Sequence, residues 1–406
     1  MQTTVSNRKN TIILFFTMVV VLLGFGIIIP ILPFYVESFN AHGLELGLLM
    51  ATYATMQFLF SPLWGDLSDR YGRKPFLIIG ALGNGLAMML MGLATQLWML
   101  FAARILAGIL AAATLPTAMA YIGDSTSPED RGRGMGLIGA AMGVGMVIGP
   151  GLGGTLAGIS LSAPFYLSAG VSTLAAVIIL IALPESLPKS RRNRLENSGF
   201  RGPQVRKMWE ALFSPIGILL VLAFLLSFGL TNFESVFGLF ALEKFGYSAQ
   251  RVGLILTAVG ITSALVQGLL TGPFIKRWGD IRVIRAAMLG TAAGFLLMLL
   301  AVDFPSILLT TSLFVFSNSL LRPSVSSLTS KWSQDRQGMA MGLNNSFMSL
   351  GRIFGPVWAG MVFDIRIFMP YISGSVIMTI GFLVSLLWLK EKNPIQIKST
   401  KAHSTN

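Results

Sequence analysis

Gly65-Asp-Leu-Ser-Asp-Arg-Tyr-Gly-Arg-Lys-Pro75 is a run of charge between two long apolar stretches, and a worn copy, Gly272-Pro-Phe-Ile-Lys-Arg-Trp-Gly279, returns 207 positions later. A segment that recurs at half the chain length implies a membrane protein made of two related halves. Composition agrees: 53% hydrophobic residues, 12% charged residues and a mean hydropathy of +0.72 would leave a soluble globule with an apolar surface. Lipid is the solvent for most of this chain.

Backbone groups in hydrocarbon must be satisfied inside the spanning segment, so spans are helices or closed barrels. The uncharged runs are about twice as long as a barrel strand needs and do not alternate. They predict twelve helices, at 11–36, 44–64, 75–94, 97–122, 133–156, 163–183, 214–241, 250–272, 281–301, 305–330, 338–362 and 367–389. The first run follows Arg8 and Lys9 but is too long for the apolar part of a signal peptide and has no cleavage pattern after it, so it is read as a retained span. The expected organisation is a six-helix bundle at 1–183, a cytoplasmic linker at 184–213, a second six-helix bundle at 214–389 and a disordered cytoplasmic tail at 390–406.

Basic residues favour cytoplasmic loops. With both termini in the cytoplasm, 24 of the 30 Lys and Arg fall on that side. Only Lys244, Arg251 and Arg366 fall outside, while Arg104, Arg322 and Arg352 lie within spans. The net charge of +13 is then topology, and no basic soluble domain is present to bind nucleic acid. The seven basic residues of the linker, Lys189, Arg191, Arg192, Arg194, Arg201, Arg206 and Lys207, fit a solvated connection or attraction to anionic headgroups. With no Cys and two isolated histidines, His42 and His403, neither a disulfide nor a metal site is expected, and no cofactor is implied. No Walker-type G-x-x-x-x-G-K-[ST] segment points to ATP, and nothing indicates an enzyme.

A second repeat supports the first. Gly136-Leu-Ile-Gly-Ala-Ala-Met142, Gly149-Pro150 and Gly154 recur as Gly342-Leu-Asn-Asn-Ser-Phe-Met348, Gly355-Pro356 and Gly360, all shifted by 206. Parallel repeats of this kind enclose a substrate site near the bilayer midplane and favour alternating access by rocking of the halves. Within the fifth span, Gly145, Gly149, Pro150, Gly153 and Gly154 clear side chains from the helix and free a carbonyl, so that another helix can approach closely.

These segments resemble the major facilitator superfamily. The G-x-L-x-D-R-x-G-R-K form of 65–74 is similar to the signature between its second and third helices, and Gly145–Gly154 matches the G-x-x-x-G-P-x-x-G-G pattern of its antiporters. Leu23-Gly24 with Pro30-Ile-Leu-Pro33, and Arg104 with Gly108, resemble further elements of its twelve-span drug:proton antiporters. Asn232-Phe-Glu234-Ser, Leu321-Arg322-Pro323 and Gly342-Leu-Asn344-Asn-Ser-Phe347 look closest to Gram-positive quinolone and multidrug efflux pumps. The resemblance implies an all-α, twelve-helix fold of two pseudo-symmetric bundles in the plasma membrane. The implied function is proton-coupled efflux of amphipathic cationic or zwitterionic drugs, with antibiotic resistance as the physiological outcome. A transporter of one specific metabolite, or a membrane sensor on the same fold, is the alternative. Expected partners are small amphipathic molecules, protons and lipid, with the chain acting as a monomer.

Of 17 Asp and Glu, only Glu234 sits near the middle of an apolar span. A carboxylate there costs on the order of 3 kcal/mol, so it is expected to face a cavity and to serve function. Glu234 is the expected proton-coupling residue, with Arg104 and Arg322 assisting and a second role for Glu234 as counter-ion to a cationic substrate. Substrate is expected against Glu234, Asn344, Phe347, Arg322, Gln57, Tyr53 and Phe237. The resemblance assigns a latch to Gly65, Asp69, Arg70, Gly72, Arg73 and Asp124, in which Asp69 accepts from the start of the eleventh helix near Gly338 and Arg73 pairs with Asp124. One departure stands out: Ser319 occupies the place of a second membrane acid in the tenth helix of the quinolone exporters. Arg352 has no assigned role.

Overall fold

The computed structural model describes residues 7–127, 130–187, 205–333 and 337–389. Twelve long helices carry the described residues: α1 (Asn7–Ile28), α2 (Gly43–Tyr71), α3 (Arg73–Gly92), α4 (Leu97–Ser125), α5 (Arg131–Ala157) and α6 (Ala163–Ala182) form one half. The other half comprises α7 (Gly217–Phe245), α8 (Ala249–Trp278), α9 (Asp280–Leu299), α10 (Phe304–Ser333), α11 (Gln337–Ile365) and α12 (Met369–Trp388). Ten are long and apolar enough to cross a membrane, and α1 adds the shorter apolar stretch Ile12–Ile28. The remaining helix, α11, is 29 residues long but diluted by Asn344, Asn345, Ser346, Ser349 and Arg352. A helix so polar needs protein or water along one side.

Three expectations from the sequence change in detail. The charged segment at 65–75 is mostly helix, since α2 runs on to Tyr71 and the turn is the single residue Gly72 at φ 110°. That backbone conformation favours glycine, whereas Gly65 is inside the helix and makes no turn. The same break recurs at Gly279, φ 78°, between α8 and α9. The first run is two elements: α1 stops at Ile28, and after a turn holding Pro30 a short helix, Leu32–Glu37, begins with Pro33 in its first turn. Polar helix ends also extend past the apolar runs, because helical hydrogen bonding does not stop where hydrocarbon does. Of the linker, 188–204 lies outside the described residues, as does the tail 390–406, while Val205–Leu212 is a short helix.

The repeat is a packing rule. In the first half, a Cβ at Gly149 would lie 2.7 Å from the Gly26 backbone, and one at Gly145 would lie 2.8 Å from that of Leu22. In the second half, a Cβ at Gly351 would lie 2.5 Å from the Phe224 carbonyl, and one at Gly355 would lie 2.8 Å from that of Phe228. Thus α5 docks on α1 as α11 docks on α7. Most of the small-residue stripe of α5, Gly145, Gly149 and Gly153, packs inside its own half.

The halves meet along two seams built alike. On one, Gly47 of α2 abuts the Pro356 carbonyl of α11, and Gly43 abuts Gly360. On the other, Gly253 of α8 abuts the Pro150 carbonyl of α5, and Ala249 abuts Gly154. Each residue of one contact is the repeat mate of a residue in the other, shifted by 206. Proline also removes the donor to the carbonyl four residues back. Hence the Met146 carbonyl, freed by Pro150, sits where a Cβ at Gly260 would be only 2.8 Å away.

Both seams close toward one membrane face and part toward the other. The closed face carries the starts of α2 and α8; the open face carries Arg70, Arg73, Lys74, Lys276 and Arg277, and is called the basic face below. Toward it, glycines 139, 143, 268, 272, 338 and 342 have no atom within 4 Å where a side chain would grow. The hydrophobic cores divide the same way. One core, containing Ile31, Leu46, Phe165, Phe240 and Phe314, joins both halves near the closed face and continues through the second half to Ile281, Leu328 and Leu389. A second, with Leu14, Leu77, Tyr121 and Ile138, belongs to the first half alone.

Candidate functional site

The site is the apex of the cleft, where α2 and α11 part. Pro356 faces α2 and Gly351 faces α7. Arg352, one residue past Gly351 and one turn before Pro356, therefore projects between those two helices, with its Nη2 donating to Ser349 Oγ at 2.9 Å. It lies within electrostatic reach of Glu234 on α7, Arg322 on α10 and Tyr53 on α2. Tyr53 in turn carries Arg104 of α4 over its ring at 5.6 Å, a cation–π contact, and its hydroxyl accepts from Gln57 Nε2 at 3.4 Å. Five helices from both halves thus bring Arg104, Tyr53, Gln57, Glu234, Arg322 and Arg352 together.

None of these charges is paired. No ion pair joins Glu234, Arg104, Arg322 or Arg352 to another residue among the described residues, and neither Glu234 nor Arg322 makes a hydrogen bond there. Arg104 is 3% exposed, and its Nε is buried without a hydrogen-bond partner. Arg322 and Arg352 are exposed, and Glu234 is partly so. Among the described residues, Glu234 bridges no two helices by a hydrogen bond, and neither Arg104 nor Arg322 donates to a carbonyl freed by proline. What remains at membrane depth is one buried cation, Arg104, two exposed ones, Arg322 and Arg352, and the partly exposed carboxyl of Glu234.

Other expected substrate residues lie elsewhere in this conformation. Phe237 is fully buried against Phe233, which stacks in turn on Phe314. Asn344 and Phe347 are buried, with the Asn344 amide turned to the Met348 sulfur at 3.7 Å. Ser319 Oγ donates to Ser263 Oγ at 2.9 Å, so the position lacking an acid holds α10 against α8. The residue that sequence reasoning missed is Arg352. The available signal was its repeat mate, Met146: a charge stands in one half where the other has a thioether.

At the basic face, Arg73 is buried and central. Its Nε donates to Asp124 Oδ2 at 2.9 Å and its Nη1 to Ser68 Oγ at 2.8 Å, and it pairs with Asp69. Arg70 pairs with Asp66 at 2.8 Å. Asp69 is 46% exposed and, among the described residues, does not reach α11, while Gly338 faces open space. Glu185, not singled out in the sequence, accepts from the amides of Arg73 and Lys74 at 2.8 and 3.1 Å and caps α3. The counterpart in the second half reverses the charges: Asp280 and Lys331, 207 positions after Arg73 and Asp124 as in the recurring charged segment, also form an ion pair.

At the closed face the α2–α11 seam has a carboxylate clasp of its own. Gly43 N and Leu44 N, the first amides of α2, donate to Asp364 Oδ1 and Oδ2 at 2.8 and 2.9 Å. Orphan amides at a helix start favour an anion. The α5–α8 seam has Gly158 at the equivalent position and no such clasp.

The family model described as Major Facilitator Superfamily matches residues 14–248 and 219–405. Multidrug resistance protein 2 of Bacillus subtilis is 32% identical over 389 residues, covering 95% of this chain and 97% of its own. Quinolone resistance protein NorA of Staphylococcus aureus is 29% identical, covering 95% of this chain and all of its own. Among solved structures, the nucleoside transporter NupG superposes with a TM-score of 0.79 at 16% identity over 94% of this chain and 100% of its own. The human organic anion transporter MFSD10 (TETRAN) gives 0.68 at 23% identity over 93% and 99%. Both relatives and structures span the two halves together, and the family model covers each half in turn. The chain belongs to the Major Facilitator Superfamily and is a multi-pass membrane transporter rather than an enzyme.

Proposed function

We propose that this transporter exports amphipathic drugs and similar toxic compounds across the plasma membrane in exchange for protons, acting as a monomer with both termini in the cytoplasm. The named relatives, one for multidrug and one for quinolone resistance, support the substrate range. The distribution of basic residues supports the orientation, which makes the open cleft cytoplasmic and the clasped face external.

The observation that carries proton coupling is Glu234, the one carboxylate at mid-span, which is partly exposed to the cleft and has no hydrogen-bond or ion-pair partner among the described residues. Burial disfavours a bare carboxylate. Closing the cleft over an ionised, empty Glu234 is therefore unfavourable, and either a substrate cation or a proton removes that barrier. The two compete for the same oxygen atoms, which is the requirement for antiport. Arg352, Arg322 and Arg104 set the field in which the exchange takes place. Outward opening would break the Asp364 clasp and bring Asp69 to the start of α11, so that the two carboxylates hold opposite ends of one helix pair in alternate states.

The test is accumulation of a fluorescent quinolone in cells expressing the chain, with and without a protonophore. Lower accumulation that the protonophore abolishes is expected. Efflux indifferent to the protonophore would remove proton antiport.

A further inference from the structure

We infer that Arg352 and Arg322 form a subsite for an acidic group on the substrate, so that the transporter selects amphipathic zwitterions over simple cations. This deepens the export reading and rests on it only for the identification of the cleft as the substrate site.

Charge at the cleft apex is unbalanced. Three arginines face one carboxylate, and none has an acid within ion-pair distance among the described residues. Unpaired cations at this depth are costly and mark ligand pathways by default. Arg104 is partly compensated by the face of Tyr53. Arg352 and Arg322 have no such cover. They stand on neighbouring helices within each other's field, a repulsive pair that an anion between them would relieve. Both are exposed, so a ligand reaches them without any rearrangement.

Glu234 supplies the other pole. It feels the field of Arg352, yet the two are farther apart than an ion pair. A separated pair of opposite charges, each with unused hydrogen-bonding capacity, matches a molecule bearing both an acid and an amine. The planar guanidinium donates two parallel bonds to a carboxylate, and Glu234 accepts from an ammonium. A monocation would leave both arginines unpaired and add a like charge beside them. Competition between substrate and proton at Glu234 is preserved, because the cationic end of the zwitterion takes the proton's place.

The experiment measures binding by fluorescence polarisation on the purified protein in detergent, with no gradient present. The probes are rhodamine 110, which carries a free carboxylate, and rhodamine 123, its methyl ester. The acid is expected to bind about tenfold or more tightly than the ester, the scale of one charge-assisted hydrogen bond. Arg352→Gln and Arg322→Gln should each remove about a tenfold share of acid affinity and leave the ester bound as tightly or more tightly, because a like charge is lost, while Arg352→Lys restores part of the acid affinity. Ester binding equal to or tighter than acid binding in the wild type would overturn the inference, whether or not the variants fold. Equal weakening of both dyes by the glutamine variants would overturn it too. Protonophore-insensitive transport, by contrast, would remove proton antiport while leaving an acid preference in binding intact.

Discussion

The two halves share their packing and differ in their charge. Glycine and proline contacts recur at matched positions, from Gly47 on Pro356 to Gly253 on Pro150, and both halves break between helices at a positive-φ glycine. Charge within the spans is not shared. Glu234, Arg322 and Arg352 have Ile28, Pro116 and Met146 as repeat mates, and Arg104 has Thr310. The first half keeps the fuller ion-pair cluster at the basic face, around Arg73; the second carries three of the four charged residues at the cleft apex, Glu234, Arg322 and Arg352. Duplication preserved what both seams need in order to open and close, and left each half free to take on one task.

Four tests by substitution would sharpen or break this division. The largest effect is expected from Glu234→Gln, which should reduce gradient-driven efflux to background while leaving the protein folded, as size-exclusion profiles would verify. Retained coupling would move the proton site elsewhere. Next is Gly47→Leu or Gly253→Leu, which puts a side chain where a carbonyl already sits. Overpacking of about 1–3 kcal/mol should prevent the external face from closing. Because the chain has no cysteine, the single-thiol background Gly139→Cys reports this directly: its labelling from the cytoplasmic side should fall. Unchanged labelling would show that the seams yield.

Asp364→Asn comes third. It weakens two charge-assisted bonds to the α2 amides, an effect of roughly 0.5–2 kcal/mol. The same thiol label, in the Gly139→Cys background, should show a partial shift toward the outward-open state. A response as large as that of Gly47→Leu would mean that the clasp, not the glycine seam, holds the face shut. A stability comparison separates the mirrored ion pairs, and its Lys331 arm is the smallest effect of all. Lys331 is 57% exposed, so Lys331→Met should cost about 1 kcal/mol or less. Arg73→Met removes a buried partner of both Asp124 and Asp69 and should cost about 3 kcal/mol. Thermal unfolding in detergent compares the two, and equal losses would contradict the assignment of the main cluster to the first half.

Much of this is legible in the sequence. Apolar run length yields the helices, and the offset of 206 yields their pairing. The isolation of Glu234 is also readable, because a charge among apolar residues is conspicuous, whereas the Arg73–Asp124 pair is implied only by the family resemblance. Arg352 is visible but cannot be placed, since the groups within its electrostatic reach lie on α2, α7 and α10 and only the seam register says which way it points. Asp364 and Glu185 read as ordinary loop acids. Their role depends on reaching helix starts far away in the chain, at Gly43 and Arg73, and no local pattern encodes that. The assumption that charge ends a helix shortens α2, because a helix needs its own hydrogen bonds and not lipid to continue.

The central claim is that substrate and proton exchange at Glu234. Proteoliposomes with a pH dye inside test it most directly: rhodamine 110 trapped in the lumen and an inward proton gradient are supplied together. The account predicts luminal acidification that depends on the dye, runs opposite to dye exit and disappears in Glu234→Gln. Dye exit without acidification, or equal acidification in the variant, would contradict it.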